Sequence, residues 1–249
     1  MVDDRIASRR AQVRAARRRA RLRRTLLIVL LLLLSGAGVW LEQSEYVAVE
    51  AIEVRGNVRL EADEIRAASE ILIGTSSGRV RPASVERRVQ ALTLVRSADV
   101  RRQGVRRVVI EVIEREPIYT ATHWQGPVLV DRDGIVLEDG VDERLPRIRL
   151  STPPPRPGEL VASHPALANA HRVWTGLSGP LRSRVSEMRA PDEDGLEIVL
   201  FDGPTVRFGR AEMLEEKIRA MGAILDDVAG TEVTLIDVRV PAFPVIRID

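Results

Sequence analysis

Residues able to do chemistry are few in this chain, and their spacing argues against a catalytic or metal centre. His123, His164 and His171 are the only histidines, and they lie too far apart in sequence to suggest a ligand cluster. There is no cysteine, which removes disulfides, thiolate zinc sites, iron–sulfur clusters and cysteine nucleophiles together. Asp131-Arg132-Asp133-Gly134 resembles a fragment of a calcium loop, yet the D-x-D-x-D-G spacing is not met and no glutamate stands at the twelfth position. The plainer reading is a hairpin turn whose aspartates bond their own backbone. Asp192-Glu193-Asp194 offers paired carboxylates for acid–base work. A solvated turn is favoured there, because no neighbour in sequence would raise a carboxylate pKa. S-x-x-K, H-E-x-x-H and phosphate-loop patterns are absent. The folded part is therefore read as a non-enzyme with no metal and no cofactor.

The charge is distributed unevenly. The 249 residues carry a formal net charge of +2, but residues 1–24 hold ten arginines against Asp3 and Asp4, so the remainder is acidic. Of the 38 basic residues only Lys217 is lysine. Thr25 to Leu41 (TLLIVLLLLLSGAGVWL) carries no charge between Arg24 and Glu42, and as a helix it spans about 26 Å, enough to cross a bilayer at the short end of the range. Trp40 stands where an interfacial aromatic belongs. An uncleaved anchor is expected, with the arginine-rich tail in the cytoplasm. Ser35-Gly36-Ala37 keeps open a cleaved signal peptide. The tail is read as a topogenic segment that touches anionic lipid rather than nucleic acid.

Beyond the anchor, hydrophobic periodicity separates two units. In the first, Ala48 to Arg55 alternates as a half-buried strand and Gly56-Asn57 turns. Glu61 to Ile73 carries Ile65, Ala68 and Leu72 at helical spacing, with Gly74 as its C′ residue. Pro82 opens a second helix with Val85, Val89 and Leu92 as its stripe. Val95 to Arg102 and Arg106 to Glu114 are strands, giving β-α-α-β-β. In the second unit, Ile118–Trp124, Val128–Asp131 and Ile135–Glu138 form short strands before the proline-rich loop Ser151 to Gly158. A helix is expected over Pro165–Leu177. Strands follow over Val185–Arg189, Leu196–Phe201 and Thr205–Phe208, then a helix over Ala211–Val228 ended by Gly230. The last strands are Val233–Val240 and Phe243–Ile248. The final strand is either an edge open to strand addition or a central strand paired on both sides. In it, Val245 and Arg247 point to one face, Ile246 and Ile248 to the other.

The arrangement resembles the FtsQ/DivIB family of bacterial cell-division proteins. Ile52-Glu53-Val54-Arg55-Gly56-Asn57 is similar to the family's opening strand and turn, and Glu114-Arg115-Glu116-Pro117 to its E-R-x-P junction. Leu129-Val130-Asp131, Gly134 and Ile135-Val136 resemble its hairpin. Phe208-Gly209 with Glu215-Glu216-Lys217 resembles its strand-to-helix passage, and Ile236 to Arg239 with Pro241 and Pro244 to Arg247 its closing strands. Arg102-Gln103-Gly104-Val105 replaces the family's R-x-W-P turn. The resemblance implies an α+β chain. Residues 1–24 are then a cytoplasmic tail and 25–41 a single transmembrane helix. A β-α-α-β-β POTRA domain follows over 47–116, and a mostly antiparallel β domain with two helices over 117–249.

The resemblance also implies a scaffold of the divisome in the cytoplasmic membrane at the septum. Outside that membrane it would bind FtsB/DivIC-like and FtsL-like anchors, and through them act on FtsW and FtsI. Partner contact by strand addition falls on Phe243, Val245, Ile246, Arg247 and Ile248, with Arg189 as a basic residue in neighbouring strands. The outer POTRA strand around Val95 to Arg102 is a second contact surface. Two other classes stay open: a signal-anchored envelope enzyme, expected to gather polar residues in a deep pocket, and a secreted or sensor ectodomain.

Overall fold

The computed structural model describes residues 27–33, 47–201, 203–228 and 233–248. Residues 27–33 are helical and exposed (α1), and among the described residues no helix is long and apolar enough to cross a membrane. The tail, most of the expected span and Gly230 lie outside the described residues. The described residues of the folded part divide into two compact units: one up to Leu92 and over Ser97–Ile113, the other over Thr93–Arg96 and from Glu114 onward.

The first unit has the expected order. Strand β1 (Ala51–Arg55) is followed by helices α2 (Ala62–Ser69) and α3 (Pro82–Val89), then β2 (Val95–Gln103) and β3 (Arg107–Glu114). The sheet order is β1-β3-β2, with β1 parallel to β3 from Ala51↔Arg107 to Arg55↔Glu111. Ile65, Val85, Val89, Val108, Ile110 and Val112 are buried between helices and sheet. Their burial follows the 3.6 and 2.0 periods seen in sequence.

Helix α2 is shorter than its apolar spacing predicts. It stops at Ser69 because Glu70 adopts a left-handed conformation at φ 52°. Arg88, from α3, donates two hydrogen bonds to the Ser69 carbonyl, at 3.1 and 2.6 Å. That side chain satisfies a helix-end acceptor from another element. Leu72 and Ile73 are consequently 73% and 63% exposed, and Gly74 does not cap the helix.

Gly56 holds a close approach. At φ +82° it lies in the region that favours glycine, and a Cβ there would stand 2.2 Å from the Val112 carbonyl oxygen. Gly56→Ala is expected to cost the first unit about 2 kcal/mol from the left-handed conformation alone, before the clash with β3. Urea denaturation measures it; a cost under about 0.5 kcal/mol would contradict this packing.

The second unit is one nine-stranded sheet. Strands β4 (Pro117–His123), β5 (Gly126–Asp131) and β6 (Val136–Asp139) precede β7 (Arg147–Leu150). Helices α4 (Pro165–Gly176) and α5 (Gly179–Arg182) come next. Then follow β8 (Val185–Ala190), β9 (Glu197–Leu200), β10 (Thr205–Arg207), α6 (Leu214–Asp227), β11 (Val233–Asp237) and β12 (Val245–Ile248). The strand order is β12-β11-β10-β9-β8-β7-β4-β5-β6. Five of the eight pairings are antiparallel; β4 with β7, β7 with β8 and β10 with β11 are parallel. Helices α4 and α6 cover one face. Leu167, Val173, Met221 and Leu225 pack there with Ile148, Met188, Ile198, Val206 and Ile236. Strand β7 and the short helix α5 are additions to the expected elements. The four residues of β7, between Pro146 and the loop that opens at Ser151, give too little alternation to be seen in sequence.

Helix α6 starts at Leu214 rather than Ala211 because the preceding residues are held by side chains. Buried Asn169 of α4 accepts the Ala211 N–H at 2.7 Å and donates to the Gly209 carbonyl at 2.9 Å. Lys217, 3% exposed, donates to the Phe208 and Arg210 carbonyls at 3.2 and 2.8 Å. Its burial lowers the ammonium pKa. The chain's one lysine is thus a clamp on the passage from β10 to α6.

Candidate functional site: the open edge of the large sheet

A nine-stranded open sheet has two edges, and the molecule treats them differently. At β6 the edge is covered. The Val136 N–H donates to the Glu159 carbonyl at 3.0 Å, the Gly158 N–H donates to the Val136 carbonyl at 2.8 Å, and Ile135 bridges Leu160. The end of the proline-rich loop therefore occupies the backbone groups of that edge. At the other edge, β12 pairs with β11 from Asp237↔Val245 through Ile236↔Ile246 and Leu235↔Arg247. Among the described residues it has no neighbour on its outer side. The terminal strand is an edge, not a central strand.

The side chains of this edge are exposed and mostly apolar. Phe243 is 79%, Val245 63% and Ile248 61% exposed, and Ile246 is 39% exposed. Ile246 continues the buried row Ile236, Val206, Ile198 and Met188 on the helix-covered face. Val245 continues a row on the opposite face through Asp237, Arg207, Glu197 and Arg189. The edge thus offers an incoming strand backbone groups, an extension of the apolar row on one face and charge on the other.

Arg189 is not beside that strand. It lies on β8 with β9, β10 and β11 between, roughly 19 Å from β12 at ordinary strand spacing. Its Nε donates to Glu187 at 2.7 Å. The sequence shows neighbours along the chain, whereas sheet order decides neighbours across it. Nearer the edge on the same face is Arg207 of β10, and Arg239 follows β11; sequence reading missed both. Arg239 sits 2.6 Å from Asp237, and its hydrogen bonds hold that carboxyl below the usual carboxylate pKa.

The outer POTRA-like strand, the second expected contact surface, has its middle already bonded. Glu86 of α3 accepts the Val100 N–H at 3.1 Å, and Gln90 donates to the Ala98 carbonyl at 3.4 Å.

The catalytic candidates resolve into structural roles. Asp131 accepts the Ile135 N–H at 2.8 Å and pairs with Arg115 at 2.6 Å. Asp192 accepts the N–H groups of Asp194 and Gly195, and Arg210 holds the Asp194 carboxyl below its ordinary pKa. His164 caps α4 by accepting the Leu167 N–H at 3.1 Å. Gly74-Thr75-Ser76-Ser77-Gly78 does spell the G-x-S-x-G of serine hydrolases, so reading the sequence as lacking that pattern was wrong. It lies in a loop and the short 3-10 turn Ser77–Arg79, and all three histidines belong to the other unit. Two broad clefts of about 590 and 740 Å³ open on the second unit. The first includes Glu187, which Arg149 and Arg189 hold at 3.0 and 2.7 Å. The second is lined by Pro153 to Pro157 with Gln125, the start of β5 and Asp139 at the end of β6.

Half-buried His171 pairs with a buried tyrosine instead. The buried Tyr119 hydroxyl lies 3.0 Å from His171 Nδ1. Burial lowers the His171 pKa, opposed by Asp131 and by a bond to the Arg132 carbonyl. The folded state binds the ring's titrating proton less readily than the unfolded chain, which takes it up first as pH falls through about 6.5. Stability is then lost on acidification. Denaturation at pH 7.5 and 5.5 is expected to show a smaller loss in His171→Gln than in wild type; equal losses would contradict the role.

Comparison with known proteins agrees with the two units. Residues 47–115 match the family model described as "POTRA domain, FtsQ-type", and residues 121–239 match "Cell division protein FtsQ/DivIB, C-terminal". The chain is 26% identical over 217 residues to "Cell division protein FtsQ" of Mycolicibacterium smegmatis, covering 87% of this chain and 62% of the relative. It is 28% identical over 213 residues to the protein of that name from Mycobacterium tuberculosis, covering 85% and 64%. For Streptomyces coelicolor the values are 28% over 206 residues, 78% and 76%. The chain therefore spans less than two thirds of the length of the mycobacterial relatives named here. With both units matched in order across most of its length, the chain belongs to the FtsQ/DivIB family of cell-division proteins.

Proposed function

We infer that the protein is a bitopic, non-catalytic scaffold of the divisome. Residues 25–41 anchor it in the cytoplasmic membrane, the arginine-rich tail stays in the cytoplasm, and both folded units stand outside. The open β12 edge captures an FtsB/DivIC-like partner by strand addition. With an FtsL-like protein, that complex positions septal peptidoglycan synthesis by FtsW and FtsI. The observation that carries this reading is the asymmetry of the sheet: one edge is covered by its own loop, and the other presents exposed Val245, Ile246 and Ile248.

Depletion of the protein alongside imaging of a fluorescent fusion tests the role. Midcell localisation with a division block is expected. Uniform membrane distribution with normal septation would overturn it.

A further inference from the structure

The topology of the first unit gathers three segments at the end where the chain enters. Strand β1 runs parallel to β3, so the start of β1 lies beside the start of β3 and the turn that precedes it. The Glu50 and Ala51 N–H groups both donate to the Arg106 carbonyl, at 2.8 and 3.3 Å. On the other side of the entering chain, the Val49 N–H donates to the Thr75 carbonyl at 2.8 Å and the Gly74 N–H donates to the Val49 carbonyl at 2.9 Å. Arg102 joins the two flanks by donating to the Ser77 carbonyl at 3.4 Å. The loop after α2 and the β2–β3 turn therefore form one continuous end surface around residues 48–51.

That surface is apolar at its tips and basic around them. Leu72, Ile73 and Val105 are 73%, 63% and 56% exposed. The exposed arginines Arg81 and Arg102 flank them. The acidic residues of this end are paired, Glu50 with Arg106 and Glu70 with Arg88. Only five residues, 42–46, separate Leu41 of the apolar run from Val47, and five residues reach at most about 17 Å. Glu42 and Glu45 lie in that link and weaken the attraction to anionic lipid, which leaves apolar contact as the larger contribution.

We propose that this end of the first unit rests on the bilayer surface, with Leu72, Ile73 and Val105 in the headgroup layer and the arginines toward anionic lipid. The proposal rests on the membrane anchor argued above. Seating would fix the orientation of the unit relative to the membrane rather than leave it swinging on the link.

The absence of cysteine makes every introduced cysteine unique. Full-length Leu72→Cys, Ile73→Cys and Val105→Cys variants, labelled with a polarity-sensitive fluorophore, are reconstituted into vesicles containing nitroxide-labelled lipid. Val58→Cys, at a residue 88% exposed on the β1–α2 link at the opposite end, is the wet control, and Leu31→Cys in the apolar run reports the anchor. Quenching at positions 72, 73 and 105 at least threefold above position 58 is expected, rising further when phosphatidylglycerol replaces part of the phosphatidylcholine. Quenching at position 31 with the three positions no different from 58 would overturn this inference alone. A blue-shifted but unquenched label at 72 and 73 would mean a second copy of the chain covers them, and would also overturn it. An unquenched position 31 would overturn the anchor and this inference together.

Discussion

Proline at one of the two positions Ile246 and Arg247 is expected to lower capture of an FtsB/DivIC-like partner by about fivefold to a hundredfold without unfolding the protein. Successive N–H groups of a strand point to opposite sides, so one of these two donors faces β11 and the other faces outward. Proline removes the N–H and is tolerated on an edge when the lost donor faces solvent. The outward variant keeps β12 paired to β11 but can no longer complete a ladder with an added strand. Losing that bond and leaving the partner's carbonyl unpaired costs about 1–3 kcal/mol, and 1.4 kcal/mol is already tenfold in affinity. The inward variant is expected to detach β12 and lower stability. Normal folding and unchanged co-purification in both variants would exclude strand addition at this edge.

Arg115→Met is expected to destabilise the second unit by about 3–5 kcal/mol. The Asp131 side chain is 4% exposed and that of Arg115 18%, with Nη1 2.6 Å from Oδ2 and a further contact to Asp133 at 3.0 Å. Removing the guanidinium leaves a carboxylate buried without its counter-charge. Its other oxygen is committed to the Ile135 N–H, so it has no route to water that preserves the hairpin. Adding Asp131→Asn removes the charge while keeping an acceptor for Ile135. The double variant is therefore expected to regain at least half of the loss. Urea denaturation of the detergent-solubilised chain measures both. A cost below about 1 kcal/mol for Arg115→Met would show that the pair contributes no more than a surface bridge.

What could be read in the sequence was what local periodicity encodes. Ile52 and Val54, Val108, Ile110 and Val112, and the Met221–Leu225 stripe all occupy the elements that their spacing indicates. The motifs of the family resemblance also point to real contacts, since Arg115 of the E-R-x-P junction meets Asp131 of the following hairpin. The features that escaped depend on partners distant in sequence. The end of α2 is set by Arg88 from another helix, and the start of α6 by Asn169 and Lys217. Strand β7 is too short to show a period and is identified by its neighbours β4 and β8. Placing Arg189 near the terminal strand failed for the same reason: strand order depends on crossovers that no local pattern records. That order is also what made β12 an edge, which the sequence left as one of two possibilities.

The central claim is that β12 is the strand to which a partner adds. Hydrogen–deuterium exchange on the full chain, with and without the extracytoplasmic segment of the FtsB/DivIC-like protein, addresses it directly. Strand addition predicts that the outward amide of Ile246 or Arg247 changes from fast exchange to strong protection when the partner is present. Protection confined to other surfaces, with the β12 amides exchanging as fast as in the free protein, would contradict it.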